Sequence, residues 1–132
     1  MEHTSDVGIR AYGGSMAEAF ENCALGMMSL MLEPERVKPR HRAELSARGR
    51  DGGSLLVAWL SEILFKVEAE GWAFNSFGVV SCNGAAVAGW GAGEPLDAAR
   101  HGLKMEIKAP TYHLLELGEA GGRWAAQVIF DV

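Results

Sequence analysis

The sequence predicts an α+β fold in which two helices pack on one face of a mostly antiparallel β-sheet. Two stretches in the first half repeat apolar residues every three or four positions, which is typical of helices with one buried face. Most of the remaining chain alternates apolar and polar residues, the period of strands with one wet face. Glycine-containing turns join several of these strands, which favours hairpins over parallel crossovers. With 132 residues, the chain suits one domain spanning residues 1–132.

The first strand and the first helix are predicted from local signals near the start of the chain. A strand over residues 7–12 ends at a Gly-Gly pair. Ser15 and Glu18 have the spacing of a capping box, so a helix should begin there and run to about residue 32, before Pro34. We interpret its methionines as core packing, with an adaptable binding surface as the alternative. The predicted buried stripe consists of Phe20, Cys23, Ala24, Met27, Leu30 and Met31.

A basic stretch over residues 36–50 follows and has the alternation of a strand with one wet face. Pro39 cannot donate a hydrogen bond to a sheet ladder, so it should lie at a sheet edge or outside the ladder. The cations on the wet face indicate either a solvated edge that resists aggregation or a docking stripe for an acidic partner or RNA. The sequence does not separate these two interpretations. The four cations are Arg36, Lys38, Arg40 and Arg42.

The second helix should begin after Asp51 and end at about Gly71. Strands over residues 77–82 and 85–90 come next, and Asn83-Gly84 between them predicts a type I′ hairpin turn. The glycines at 89, 91 and 93 do not match a phosphate-binding loop, because no helical pattern follows and no further glycine completes the motif. They predict a bulged or twisted strand end. The buried stripe predicted for the helix contains Leu56, Trp59, Leu60, Ile63, Leu64 and Val67.

The last third of the chain alternates again. Strands are predicted over residues 103–109, 112–117 and 123–131, with a turn over residues 118–122. The final strand has apolar residues on both faces, which predicts a central position in the sheet.

Charge and cysteine content limit the classes of function. The net charge of −5 gives no global attraction to phosphate backbones, so any RNA role should be indirect. Cys23 and Cys82 lie among apolar neighbours and are predicted to be free, buried thiols, as in a reducing compartment. There is no secretory leader and no apolar run long enough for a membrane span, so we expect a soluble, cytoplasmic protein.

Acidic residues near the two ends suggest a metal site. If the first and last strands are neighbours, Asp6, Asp131 and the terminal carboxylate of Val132 come together and repel one another unless a cation compensates. Ligands that are all oxygen favour Ca²⁺, and Mg²⁺ less. The alternative is that these acids are simply solvated. His113 could act as a general base, but no nucleophile motif accompanies it, which favours a structural or partner-contact role for it and for His3.

Several segments taken together resemble the archease family. The HTxDxG start, the KAxTYH segment and the FDV ending are jointly specific, and the resemblance extends over essentially the whole chain. The matching segments, in order, are HTSDVG at 3–8, AFENCALGM at 19–27, LLVAWLSE at 55–62, GEPLD at 93–97, RH at 100–101, KAPTYH at 108–113 and VIFDV at 128–132.

The resemblance implies a small cytoplasmic protein that is not an enzyme. Archeases activate the GTP-dependent tRNA-splicing ligase RtcB by promoting guanylylation of a ligase histidine and multiple turnover, and they can broaden its use of nucleotides. RNA would then be reached only through the ligase. The family's metal site falls on Asp6, Asp131 and Val132, with Ca²⁺ as the expected ion. The residues expected to contact the partner or support the site are His3, Lys108, Thr111, Tyr112 and His113.

Two other functions remain open from the residues. One is a metal-dependent hydrolase that uses His113 and Asp131. The other is an RNA-binding or chaperone-like module that uses the basic cations between residues 36 and 42.

Overall fold

The computed structural model describes residues 6–132 and has an α+β fold. No helix within this range is both long enough and apolar enough to cross a membrane. A 3-10 turn at Pro34–Arg36 separates the first helix from the second strand. The elements in chain order are β1 (Asp6–Gly13), α1 (Met16–Met31), β2 (His41–Arg48), α2 (Gly52–Glu70), β3 (Trp72–Cys82), β4 (Ala86–Pro95), α3 (Ala98–His101), β5 (Ala109–Pro110), β6 (Glu116–Ala120) and β7 (Arg123–Asp131).

The strands form two antiparallel sheets instead of the single sheet that the sequence predicts. One sheet has the order β2-β4-β3, and in the other β7 lies between β1 on one side and β5 and β6 on the other. The central position of β7 confirms the prediction from its apolar residues. Alternation shows which face of a strand is buried but not which strand is its neighbour. The sequence therefore could not divide the strands between two sheets.

Capping residues set the ends of both long helices, as predicted. Ser15 accepts a hydrogen bond from the Glu18 amide at 3.1 Å and begins α1. Asp51 and Ser54 form a complete capping box before α2, and Gly71 ends that helix with a φ of 73°. These signals lie within a few residues of the helix ends, which is why the sequence locates them.

One hydrophobic core joins the helices to both sheets. Trp59 of α2 is fully buried, and its Nε1 donates a hydrogen bond to the Phe20 carbonyl of α1 at 3.1 Å. Met27 and Met28 are also fully buried, which confirms that the methionines of α1 pack in the core. Cys23 and Cys82 are free, as predicted; Cys23 is buried and Cys82 only partly so.

The basic strand is shorter than predicted. The ladder begins at His41, because Pro34 starts a 3-10 turn and Pro39 lies outside the ladder, where its missing N–H is not needed. Of the four predicted cations, only Arg42 belongs to β2. The strand is at the edge of its sheet, as the interpretation of a solvated edge requires.

The prediction of a strand over residues 103–109 is wrong except for its last residue. The segment instead covers the C-terminal end of α1, where the Lys104 amide donates to the Met31 carbonyl at 2.7 Å and its Nζ to the Ser29 carbonyl at 2.9 Å. The last carbonyls of a helix have no partner within the helix, so they bind this segment in place of a neighbouring strand. Ile107 is nevertheless fully buried, so the alternation still marks an inward-facing residue.

The predicted strand over residues 112–117 begins only at Glu116. The amide and hydroxyl of Thr111 both donate to the Ile129 carbonyl, at 2.9 and 2.8 Å, and the chain then turns away through Leu114, whose φ is 53°. The turn between β6 and β7 is reduced to Gly121 and Gly122, both with positive φ. That pair has the backbone required by the tightest hairpin turns.

The type I′ turn predicted at Asn83-Gly84 is wrong, because neither residue has a positive φ. The Asn83 side chain closes the loop instead, since its Oδ1 accepts hydrogen bonds from the amides of Ala85 and Ala86, both at 2.8 Å. Asparagine thus acts here through its side chain, by an Asx-type turn. The strands on either side, β3 and β4, extend beyond the predicted limits.

Candidate functional site

The two ends of the described chain meet as neighbouring strands. β1 and β7 pair antiparallel, and Asp6 lies directly opposite Asp131. Residues in such a pair have Cα atoms about 4.5–5.5 Å apart and side chains on the same face of the sheet. Both aspartates are exposed, whereas their neighbours Val7 and Phe130 face the core side. Val132 follows Asp131 directly and packs partly against the core.

This arrangement leaves two carboxylates facing each other. Like charges that lie directly opposite on antiparallel strands repel. Within residues 6–132, neither Asp6 nor Asp131 forms an ion pair with a lysine, arginine or histidine. Carboxylate oxygens are the ligand atoms that Ca²⁺ prefers, so the ligand chemistry of the pair suits a hard cation. No group of three His, Cys, Asp or Glu side chains suited to a metal occurs in the described part of the chain.

The KAxTYH segment is attached to β7 beside these carboxylates. The Lys108 amide donates to the Asp131 carbonyl at 2.8 Å, and Ala109 pairs with Asp131 across the β5–β7 ladder. Thr111 holds the next part of the segment on β7, and its Oγ1 accepts a hydrogen bond from the His113 amide at 3.3 Å. Lys108 and Thr111 therefore support the strand end through their backbone and hydroxyl groups.

The other predicted partner-contact residues are less closely tied to the carboxylates. Tyr112 and His113 lie in the exposed turn that follows Thr111, and 62% of Tyr112 is exposed. Their position suits contact with another molecule more than support of the strand end. His3 lies outside the described residues.

A cluster of basic groups around a buried carboxylate at the end of β4 was not predicted. Glu94 is only 2% exposed, and its carboxylate accepts hydrogen bonds from the Lys38 amide at 2.9 Å and from Arg100 Nη1 at 2.9 Å. Arg40 Nε lies 3.2 Å from the other carboxylate oxygen. The fully buried His101 ring is 2.8 Å from Glu94. One carboxylate thus joins the segment after the 3-10 turn to α3.

The protonation of this cluster follows from its hydrogen bonds. The Lys38 amide, followed by Arg100 and His101, lowers the pKa of Glu94 from 4.5 to about 2, so the carboxylate is charged at neutral pH. The Asp97 amide donates to His101 Nδ1 at 3.0 Å, so that nitrogen has no hydrogen and Nε2 donates to Glu94. Glu94 therefore accepts from one neutral ring and faces two cationic guanidinium groups.

The sequence contains one signal for this cluster, the charge of Glu94, which the patterns of alternation and turns did not explain. Glu94 is the only charged residue of β4, a strand otherwise made of small and apolar residues. The segments at 93–97 and 100–101 belong to the family resemblance, but nothing in their spacing connects them to Arg40, more than 50 positions earlier. The contact depends on the return of β4 alongside β2, which is a property of the fold.

Comparison with known proteins identifies the family. The model of the Archease protein family (MTH1598/TM1083) matches residues 1–132. The chain belongs to the archease family. It is 36% identical over 137 residues to the protein archease of Aeropyrum pernix, covering 99% of this chain and 94% of the relative, and 37% identical over 135 residues to that of Thermococcus gammatolerans, covering 99% and 95%.

Solved archease structures have the same fold. The solution structure of Methanobacterium thermoautotrophicum protein 1598 has a TM-score of 0.76 and 31% identity, covering all of this chain and 96% of that one. The crystal structure of an archease from Thermotoga maritima, described as a possible chaperone, has a TM-score of 0.69 and 19% identity, covering 100% and 94%. The α+β fold predicted from the sequence is therefore confirmed within the archease family.

Proposed function

We propose that this archease is a non-catalytic activator of an RtcB-type tRNA-splicing ligase in the cytoplasm. In this proposal it promotes guanylylation of the ligase histidine and multiple turnover, and it broadens the nucleotides that the ligase accepts. The ligase itself performs the joining of RNA ends. Family membership over residues 1–132 supports this role. The single structural observation behind it is the cross-strand pairing of Asp6 with Asp131, the two acidic positions that the family resemblance assigns to a metal.

The cation in this proposal is Ca²⁺, held by Asp6, Asp131 and the terminal carboxylate of Val132. Its contribution when bound is to neutralise carboxylates that otherwise repel and to keep the ends of β1 and β7 in one conformation. Ca²⁺ is preferred to Mg²⁺ because Mg²⁺ demands a near-ideal octahedral shell, which strand-end carboxylates do not readily provide.

Activation of another enzyme requires a difference in affinity for two of its states. A bound protein shifts the ligase toward the guanylylation-competent state only if it binds that state more tightly. The strand end with its cation, together with the exposed Tyr112 and His113, forms the surface that we assign to this contact. Both residues lie in the turn that follows the segment attached to Asp131.

The experiment is multiple-turnover RNA ligation by the cognate ligase with this archease in the wild-type form, as Asp6→Ala and as Asp131→Ala. We expect either variant to lower Ca²⁺ affinity by about 10-fold or more, since loss of a direct ligand should cost at least as much as loss of a supporting residue. Ligation should then stop near one turnover per ligase. Isothermal titration with CaCl₂ measures the first effect, and the yield of joined RNA per ligase measures the second.

Glu119→Ala is the matched control, because it removes an exposed carboxylate from β6 in the same sheet. It should bind Ca²⁺ and activate the ligase as the wild type does. Circular dichroism verifies that all variants are folded. Full multiple turnover with Asp6→Ala or Asp131→Ala would contradict the proposed role of the cation site.

A further inference from the structure

Positive charge in this otherwise acidic protein is concentrated in β2, an edge strand with one exposed face, and in the segments that flank it. Six of the 12 lysine and arginine residues lie between positions 36 and 50, where only one of the 17 acidic residues occurs, although the net charge of the chain is −5. A local basic surface on an acidic protein attracts polyanions to that surface without making the whole molecule bind them. The low global affinity for phosphate therefore does not apply to this face.

Two arginines on this face are held in place by a buried carboxylate. Arg40 contacts Glu94 Oε1 through Nε at 3.2 Å, and Arg100 contacts Oε2 through Nη1 at 2.9 Å. Their side chains remain 57% and 46% exposed. Each guanidinium uses one nitrogen on Glu94, and Arg100 Nε also lies 3.9 Å from Asp97 Oδ2, so both arginines keep other N–H groups available to a ligand. Fixing the side chains in the free protein lowers the entropy cost of binding.

A third arginine is fixed by an aromatic ring on the same face. The Arg42 guanidinium lies 3.9 Å from the centroid of the Trp90 ring. The indole lies directly over Gly78, where a Cβ atom would come within 2.3 Å of it. Sheet, indole and guanidinium thus form successive layers. Guanidinium planes and aromatic rings are the surfaces on which unpaired RNA bases stack.

The composition of the face favours a nucleic acid over a protein partner. Among residues 6–132, Val80 of β3 is the one large, strongly exposed apolar side chain of this sheet, and none belongs to β2 or β4. Protein–protein interfaces need such side chains at their centre, whereas nucleic-acid interfaces are more polar and more positively charged. Glu44 lies opposite Trp90 on this face and separates Arg42 from Arg48, the other exposed arginine of β2.

We infer that Arg40, Arg42, Arg100 and Trp90, here called the arginine surface, bind single-stranded RNA. The guanidinium groups contact backbone phosphates, and an unpaired base stacks on the Arg42–Trp90 layers. This inference rests on the proposed function only in the choice of RNA over other polyanions. It replaces the expectation that RNA is reached only through the ligase, and it concerns a face different from the Asp6–Asp131 pair.

The test measures RNA binding by the archease without any ligase, so its outcome is independent of ligase activation. Fluorescence anisotropy with a labelled single-stranded RNA of about 16 nucleotides measures Kd at a series of salt concentrations, from about 50 to about 200 mM. Each lost phosphate contact should reduce the slope of log Kd against log salt by about 0.7. We expect a reduction of about 0.7 for Arg42→Gln and about 2 for the variant in which Arg40, Arg42 and Arg100 are all replaced by Gln.

Arg123→Gln is the matched control for Arg42→Gln, because Arg123 also stacks on an aromatic ring, at 4.1 Å from Tyr12, but on the other sheet. Its slope should equal that of the wild type. Arg42→Gln leaves the ion pairs of Glu94 intact, so it tests the surface even if the triple change impairs folding. Equal slopes for wild type and Arg42→Gln, an equal loss with Arg123→Gln, or displacement of RNA by polyglutamate as efficiently as by polyuridylate would each overturn the inference.

Discussion

Glu94 shows how one residue can connect distant parts of this chain. Its carboxylate accepts from the Lys38 amide, Arg100 and His101, and these bonds lower its pKa to about 2. Because a lowered pKa favours the charged form of the native protein, Glu94 stabilises the fold above the unfolded-state pKa of 4.5. That stabilisation is lost as the pH falls from about 4.5 to about 2, where the native carboxylate also becomes protonated.

Glu94→Gln should therefore change acid stability in a defined window. At neutral pH the variant should unfold at a lower urea concentration, because Arg40 and Arg100 lose their shared counter-charge. Between pH 4.5 and about 2 it should take up fewer protons on unfolding than the wild type, by up to about one, so its stability should fall less steeply. Urea titrations across this range give both quantities. Glu119→Gln, an exposed acid of β6, is the control, and a wild-type pH profile for Glu94→Gln would show that Glu94 is not the titrating group.

Among the secondary-structure elements, Gly91 of β4 makes room for aromatic side chains of β3. A Cβ atom at Gly91 would come within 2.7 Å of the Phe74 ring and 3.3 Å of the Phe77 ring. These rings pack against each other with centroids 5.2 Å apart. The irregularity predicted from the glycines is present, but the extra residues of the two register shifts belong to β3. The Glu21 carboxylate of α1 accepts from the Val79 amide at 2.8 Å, at the second of these shifts.

Gly91→Ala should destabilise the protein by about 1–3 kcal/mol, the usual cost of adding a group to a filled core. The Phe74 ring is fully buried and cannot move aside into solvent. The midpoint of urea unfolding measures the loss. Gly84→Ala is the control, because a Cβ there has no neighbour within 4 Å and the residue does not have a positive φ. Equal midpoints for the two variants would contradict the packing argument.

The elements differ in how far the sequence predicts them, for a physical reason. Both long helices are predicted with their ends, because Ser15, Asp51 and Gly71 act within a few residues of themselves. The segment over residues 103–108 alternates like a strand but binds the end of α1, because alternation records burial and not hydrogen-bond partners. Leu114 turns the chain with a positive φ that its residue type does not favour, so only the packed structure reveals that turn.

For the molecule as a whole, the sequence offered the pairing of its first and last strands only as a condition of the metal site, and it did not predict the arginine surface. The apolar residues of β7 predicted a central strand, and that position makes it a natural partner for β1. The arginine surface brings Arg100 of α3 next to Arg40 through a carboxylate on a third segment, and no local pattern contains that relation. The two features lie on different sheets, which leaves separate surfaces for a ligase and for its RNA in the proposed function.

An extension of the chain beyond Val132 tests whether the terminal carboxylate is a ligand of the cation. Adding Gly-Ser-Gly after Val132 replaces its terminal carboxylate by an amide and places bulk beside Asp131. If that carboxylate is the third ligand, Ca²⁺ affinity should fall by about 10-fold or more, with little change in urea unfolding of the metal-free protein. Isothermal titration with CaCl₂ measures the affinity. Inserting the same three residues between Gly121 and Gly122, at the opposite end of β7, is the control and should leave Ca²⁺ binding unchanged. Wild-type affinity in the extended protein would remove Val132 from the ligand set while leaving Asp6 and Asp131 as candidates.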